Sequence, residues 1–150
     1  MDLTKNNGLN LKSEASEFFL FECEKDLHKI LEHAEVIEKK IQVIGSGTNT
    51  IFPRHFSNIV IKSSNNNFKF SEEGNVAKLE VGAGVIWDDL IDFCCSKNLH
   101  GLENLAGIPG TVGAAPIQNI GAYGVEISDL IDYVESVSYT HLTLPTKWWV

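Results

Sequence analysis

The sequence predicts an α+β fold of mixed sheet and helix, on three observations. A β-α-β pattern fills residues 18–44. Three short β-rich runs follow between 58 and 81. A helix with one apolar stripe then starts at Trp87 and leads into a glycine-rich stretch, 101–124.

The elements follow in order. Residues 18–21 are a short apolar run suited to a buried strand. Leu27, Ile30, Leu31, Ala34 and Ile37 then recur at helical spacing up to a basic end at Lys39 and Lys40. Residues 41–44 form a second β-rich run that stops at Gly45. Such a unit is expected to pair its two strands in parallel through a right-handed crossover. Residues 58–62, 68–70 and 77–81 read as three more strands, separated by the turn-forming segments 63–67 and 72–75. Gly82, Ala83 and Gly84 lead into the next helix, where Trp87, Leu90, Ile91 and Cys94 make a core-facing stripe. That helix is expected to reach about Asn98, with His100 and Gly101 at its C-terminal cap and the glycine left-handed.

At 150 residues and 43% hydrophobic, the chain can bury one compact core. Its 12 basic and 20 acidic residues give a net charge of −8, and no Lys/Arg cluster is available to displace phosphate counterions, which argues against a nucleic-acid partner. No stretch approaches the roughly 20 apolar residues of a membrane span. Residues 1–12 lack the apolar centre of a signal peptide. Cys23, Cys94 and Cys95 are odd in number and include an adjacent pair, a poor disulfide framework. These features point to the cytoplasm.

Residues 101–124 hold six of the 12 glycines and two of the four prolines, with Glu103 as the single charge. A solvated linker would carry Ser, Lys or Glu between its glycines; this stretch carries Leu, Ile, Val and Ala. The pattern describes backbone wrapped closely around a buried ligand, with Thr111, Gln118, Asn119 and Tyr123 available to orient it. Gly45, Ser46, Gly47, Thr48 and Asn49 follow a buried strand, where glycines let backbone N–H groups converge on an anion. The loop is neither the dinucleotide fingerprint nor a P-loop, because position 50 is Thr and no Lys follows. It reads either as a tight turn or as a phosphate cradle.

The five histidines have no metal-ligand spacing. Cys94 and Cys95 suit core packing better than redox chemistry. Asp88 and Asp89 complement a helix N-terminus. Glu103 is either a functional carboxylate or one tied to nearby backbone N–H groups, and Tyr123 either a packed ring or one laid against a ligand. No nucleophile–base set or carboxylate pair is evident, so a cofactor is expected to carry any chemistry.

The strings IQVIGSGTNTIF, LEVGAGVIWDDLIDFC and GLENLAGIPGTVGAAPIQNIGAYGVEI resemble the UDP-N-acetylenolpyruvoylglucosamine reductase (MurB) family, in consistent order from about residue 7 to 137. These flavoenzymes complete UDP-N-acetylmuramate for bacterial peptidoglycan. The resemblance implies a FAD-binding domain of the vanillyl-alcohol-oxidase (PCMH) type, two small mixed α/β subdomains with FAD between them. Gly45, Ser46, Gly47, Thr48 and Asn49 would hold the FAD pyrophosphate. Ile108 and Pro109 would be apolar contacts of the flavin, with Gly110, Gly113 and Ala114 allowing close approach. Gln118, Asn119, Gly121, Ala122, Tyr123, Gly124 and Val125 would continue the site toward the UDP-sugar substrate.

In the family NADPH reduces FAD, and hydride then passes to the enolpyruvyl double bond. FAD there is noncovalent, in keeping with the absence of His from residues 45–50. The family's catalytic Arg, Ser and Glu belong C-terminal to GAYG, so no catalytic residue is assigned here. The piece alone, without a C-terminal domain, is expected not to turn over substrate. The chain departs from the family at Asn7-Gly8, where Asn-Thr is usual, and after Val137. There Leu142 and Leu144 alternate as in a strand that Pro145 is expected to stop. Residues 138–147 resemble translated adaptor read-through, which makes 1–137 the expected FAD-binding domain and 138–150 a non-native tail; the alternative is a divergent or frameshifted end. Two alternatives stand beside this reading: another flavin oxidase of the same fold, and a non-catalytic module that binds a flavin or UDP-sugar.

Overall fold

The computed structural model describes residues 1–139 and 142–149. It divides into two compact units, Met1–Ser64 and Asn65–Val150, each taken here by itself.

In the first unit, strand β1 (Glu14–Phe21), helix α1 (Glu24–Val36), strand β2 (Ile41–Ile44) and strand β3 (His55–Ser63) follow one another. The three strands form a parallel sheet in the order β1-β3-β2. The expected β-α-β unit is therefore present, but β1 and β2 do not pair directly. β3 takes the centre because Ile59, Val60 and Ile61 are all fully buried, and a strand apolar on both faces belongs inside a sheet.

Helix α1 buries Leu27, Ile30, Leu31 and Ala34, the stripe its spacing predicts. It ends with Glu38 at φ +53° and the Lys39 N–H bonded to the Ala34 carbonyl at 3.0 Å, a left-handed cap without glycine. Residues 1–13 are not a loose polar lead. Leu3 is fully buried in a cluster with Ala15, Ile44, Phe52 and Val60, and its N–H donates to the Ser13 carbonyl at 2.8 Å.

In the second unit, β4 (Phe68–Glu73) and β5 (Val76–Gly82) make a hairpin whose two-residue loop places Gly74 at φ +65°. Helix α2 (Trp87–Ser96) follows, then the short helix α3 (Ala115–Gln118) and the paired strands β6 (Gly121–Ala122) and β7 (Val125–Glu126). β8 (Tyr133–Tyr139) and β9 (Leu142–Trp149) complete an antiparallel sheet in the order β4-β5-β9-β8. The core gathers Leu79, Val81, Trp87, Leu90, Ile91, Leu102, Leu105 and Val112. No helix among the described residues is long and apolar enough to cross a membrane.

Two expectations need correcting. Helix α2 stops two residues early, and its left-handed cap is Asn98 (φ +54°) rather than Gly101. The Leu99 N–H closes on the Cys94 carbonyl at 2.9 Å, so the short polar side chain of Asn does what glycine was expected to do. Pro145 does not stop the final strand. It lies opposite Ser136, beside the register shift between Glu135 and Ser136, and bulges are where a residue without an N–H is tolerated.

Cys94 is buried on α2, while Cys23 and Cys95 are exposed. Burial pushes the Cys94 thiol up to about 11 from an ordinary 9.0, with Cys95 and the Glu103 carboxylate adding to the rise. A thiol reagent at pH 8 should therefore label Cys23 and Cys95, and Cys94 only after unfolding. The fold favours the neutral thiol, so this contribution is complete below pH 9 and is lost as pH rises through 11. Alkaline unfolding curves should show a decline on the order of 1–2 kcal/mol across that window. The decline should be shallower in Cys94→Ala.

Candidate cofactor-binding site

The loop after β2 is shaped by backbone contacts within the first unit. Gly47 takes φ +77°, and a Cβ there would collide with the Asn6 carbonyl oxygen. The Gly47 carbonyl accepts the Gly8 N–H at 3.1 Å and the Thr50 N–H at 3.2 Å. A Cβ on Gly8 would stand 2.5 Å from the Thr48 oxygen. The chain before β1 thus lies directly on the loop.

Asn7 organises that chain. It is 4% exposed, and its Nδ2 donates to the carbonyls of Leu3 (3.1 Å), Thr4 (3.2 Å) and Leu11 (3.0 Å), while Oδ1 accepts the Leu11 N–H at 2.8 Å. What the loop leaves over matters more. Gly47 is buried, yet its N–H has no acceptor among the described residues, and neither do the N–H and hydroxyl of Ser46. A buried N–H without a partner costs about 1–3 kcal/mol unless a ligand accepts from it. The residues present therefore fit an anion held by backbone dipoles.

In the second unit the glycine-rich stretch is packed only in part: Leu102, Leu105, Thr111, Val112, Gly113 and Ala115 are buried, while 117–119, 121, 123 and 124 are exposed. The Trp87 indole N–H donates to the Leu105 carbonyl at 2.8 Å, and the Trp87 backbone N–H to Gly110 at 3.2 Å. The Val112 and Gly113 N–H groups donate to Val85 and Ala83 at 2.9 and 3.0 Å, drawing the two segments together. The Gly107 N–H reaches the Asp88 carboxylate at 2.8 Å, so Asp88 ties the stretch to the start of α2. Glu103 is a carboxylate tied to nearby backbone N–H groups. It accepts the Gly101 N–H at 2.5 Å, and bonds from its own and the Gly101 backbone N–H groups lower its pKa.

Ile108, Pro109, Gly110, Ala114 and Gln118 line one small, open depression, together with Trp87, Thr111, Ala115 and Ile120. Thr111 is 3% exposed and precedes a 3-10 turn that its side chain does not cap, and its hydroxyl has no partner among the described residues. It is one of the four polar residues expected to orient a ligand, and its burial places it on the pocket wall.

The remaining expected residues lie elsewhere. Gly113 is close to Ala83, whose Cβ would stand 2.6 Å from an added Cβ, so its smallness serves that packing. Asn119 sits at φ +43°; its amide donates to Glu126 at 2.7 Å and accepts the Ser128 N–H at 3.2 Å, fastening the hairpin. Gly121, Ala122 and Val125 form that hairpin, with Tyr123 (φ +53°) and Gly124 (φ +82°) as its two-residue turn. Two successive positive φ values make a primed turn, and the Tyr123 ring is 90% exposed on it.

A family model described as FAD binding domain matches residues 15–141. The chain belongs to this family of FAD-binding domains. Its fold is accordingly α+β, of the vanillyl-alcohol-oxidase (PCMH) type expected. Among curated relatives, the UDP-N-acetylenolpyruvoylglucosamine reductase of Porphyromonas gingivalis is 34% identical over 138 residues, which are 91% of this chain and 41% of that protein. The reductase of Shewanella baltica is 48% identical over 104 residues, 69% of this chain and 29% of that one. That of Bdellovibrio bacteriovorus is 39% identical over 131 residues, 87% and 39%. The chain therefore spans about a third of the length of these relatives. The crystal structure of the reductase MurB from Thermus caldophilus shares the fold, with a TM-score of 0.75 at 23% identity over 99% of this chain and 59% of that one.

Proposed function

We propose that this FAD-binding domain serves a cytoplasmic, NADPH-dependent reductase that converts UDP-N-acetylglucosamine enolpyruvate to UDP-N-acetylmuramate. The observation that carries the cofactor reading is the buried Gly47 N–H, which has no acceptor among the described residues, in a chain of the FAD-binding family. Similarity to reductases of that name supports the reaction.

Bound FAD supplies hydride transfer, taken from NADPH and given to the enolpyruvyl double bond. The chain's own residues bind and orient. The N–H groups of Gly45, Ser46, Gly47, Thr48 and Asn49, with the Ser46 hydroxyl, hold the diphosphate. Dipoles do this work rather than charge, in a chain whose net charge is −8 and whose one arginine is Arg54. Ile108 and Pro109 give the flavin an apolar surface, while the Thr111 hydroxyl and the Gln118 amide supply polar contacts. Gly110 and Ala114 keep that wall low. Gly113 and Asn119 support the wall and the hairpin from behind. Gly121, Ala122, Tyr123, Gly124 and Val125 extend it toward the UDP-sugar. Residues 138–150, expected to be non-native, have no role in this reading beyond the backbone of β9.

The test is a titration of the purified chain with FAD, followed by flavin absorbance and thermal unfolding. Saturation is expected to raise stability by about 2.7 kcal/mol at a hundredfold excess over Kd. Riboflavin, which lacks the diphosphate, should give a much smaller shift. A folded protein whose melting temperature FAD does not move would overturn the assignment.

A further inference from the structure

The segment before β1 precedes the stretch matched as a FAD-binding domain, which begins at residue 15. It is nevertheless built onto the phosphate loop. Asn7 spends both polar atoms of its amide on backbone groups of Leu3, Thr4 and Leu11, and so folds residues 3–11 into a fixed strap. Leu3 anchors one end of the strap in the core at 0% exposure. From that strap the Gly8 N–H holds the Gly47 carbonyl, and the Asn6 carbonyl occupies the space a Gly47 side chain would need.

A peptide plane has one orientation at a time. Fixing the Gly47 carbonyl on the strap fixes the peptide that follows it, and the Asn6 contact fixes Gly47 itself at φ +77°. The first orients the Thr48 N–H, which shares that plane, and with φ held it also sets the direction of the buried Gly47 N–H that is left for a ligand.

We infer that Asn7 is a positioning residue for FAD: through the 3–11 strap it holds the Gly47 loop in the conformation that receives the diphosphate, without touching the cofactor. The inference rests on the flavin reading above. A preorganised loop spends none of its binding energy on ordering itself, so loosening the strap weakens binding even where the domain stays folded.

The test is Asn7→Asp in the full chain. A carboxylate cannot donate to the three carbonyls that surround position 7, so the strap is released while the side chain keeps its size. FAD Kd should rise at least tenfold. Amide exchange at Gly8 and Thr50, whose N–H groups share the Gly47 carbonyl, should quicken at least tenfold relative to Ile59, whose N–H is bonded to Lys40 in the sheet. Leu27→Ala, which opens the core beneath α1, is the control and should leave both ratios within twofold of the unaltered chain. If Asn7→Asp does not fold, Gly8→Ala pushes the strap from Thr48 with Asn7 intact and should give the same two changes. Unchanged exchange at Gly8 and Thr50 overturns the inference, as does an equal loss of FAD affinity in Leu27→Ala. Faster exchange in a chain that never binds FAD would instead leave the strap's hold on the loop standing and sink the flavin reading.

Discussion

Replacing Gly47 with alanine is expected to abolish measurable FAD binding and to destabilise the first unit by about 2–4 kcal/mol. Two effects add. Gly47 sits at φ +77°, where an L-residue costs about 1–2 kcal/mol, and the new methyl collides with the Asn6 carbonyl, which is backbone and cannot rotate away. Relief requires moving either the strap or the loop, and each move breaks the Gly8-to-Gly47 bond. Gly74→Ala isolates the first effect, because Gly74 has φ +65° with nothing within 4 Å of its added Cβ. That variant should lose only about 1–2 kcal/mol and keep full FAD affinity. Urea unfolding of both variants, with FAD titrations beside them, separates loop strain from the collision. Equal losses in the two would mean that the Asn6 contact is unimportant.

The second large effect is expected at Trp87. The side chain is 1% exposed, fills the core of the second unit and lines the pocket wall. Trp87→Ala should cost about 3–5 kcal/mol, the range for deleting a buried aromatic. Trp87→Phe is the more informative change. It retains most of the apolar volume but deprives the buried Leu105 carbonyl of its indole donor, for about 1–3 kcal/mol. Both variants keep the backbone N–H that holds the Gly110 carbonyl, so retained side-chain volume decides: the pocket wall should survive in Phe and collapse in Ala. FAD affinity should therefore fall much further in Ala than the difference in stability between the variants implies.

The periodic elements are legible in the sequence. The stripes of α1 and α2 and the run at 41–44 are patterns that local spacing writes directly, and they are found where expected. Strand order was not, because the central place of β3 follows from burial on both faces, and a short apolar run alone does not say which partners cover it. The cap at Asn98 escaped notice because glycine was the obvious left-handed residue and a short amide does the same at modest cost. In the site, glycine among aliphatics points to packing, which holds at Leu102, Leu105, Val112 and Ala115 but not over 117–124, where Ile117 and Tyr123 are exposed. Asn7 could not be foreseen: its partners lie three and four residues away in irregular backbone, where nothing periodic marks them. Thr111 stands out as a polar residue among aliphatics, though its burial could not be read from that.

The β5–β9 ladder joins Glu80, Val81 and Gly82 to Trp149, Trp148 and Lys147 through the main chain. Main-chain pairing reads no side chains, so this edge of β5 accepts whatever extended segment is offered at the right place. Here it has taken residues 147–149 of β9. The same indifference makes the edge adhesive. If β9 were displaced, residues 80–82 would present unpaired donors and acceptors to a neighbouring chain, and strand exchange between copies would become the shortest route to satisfying them.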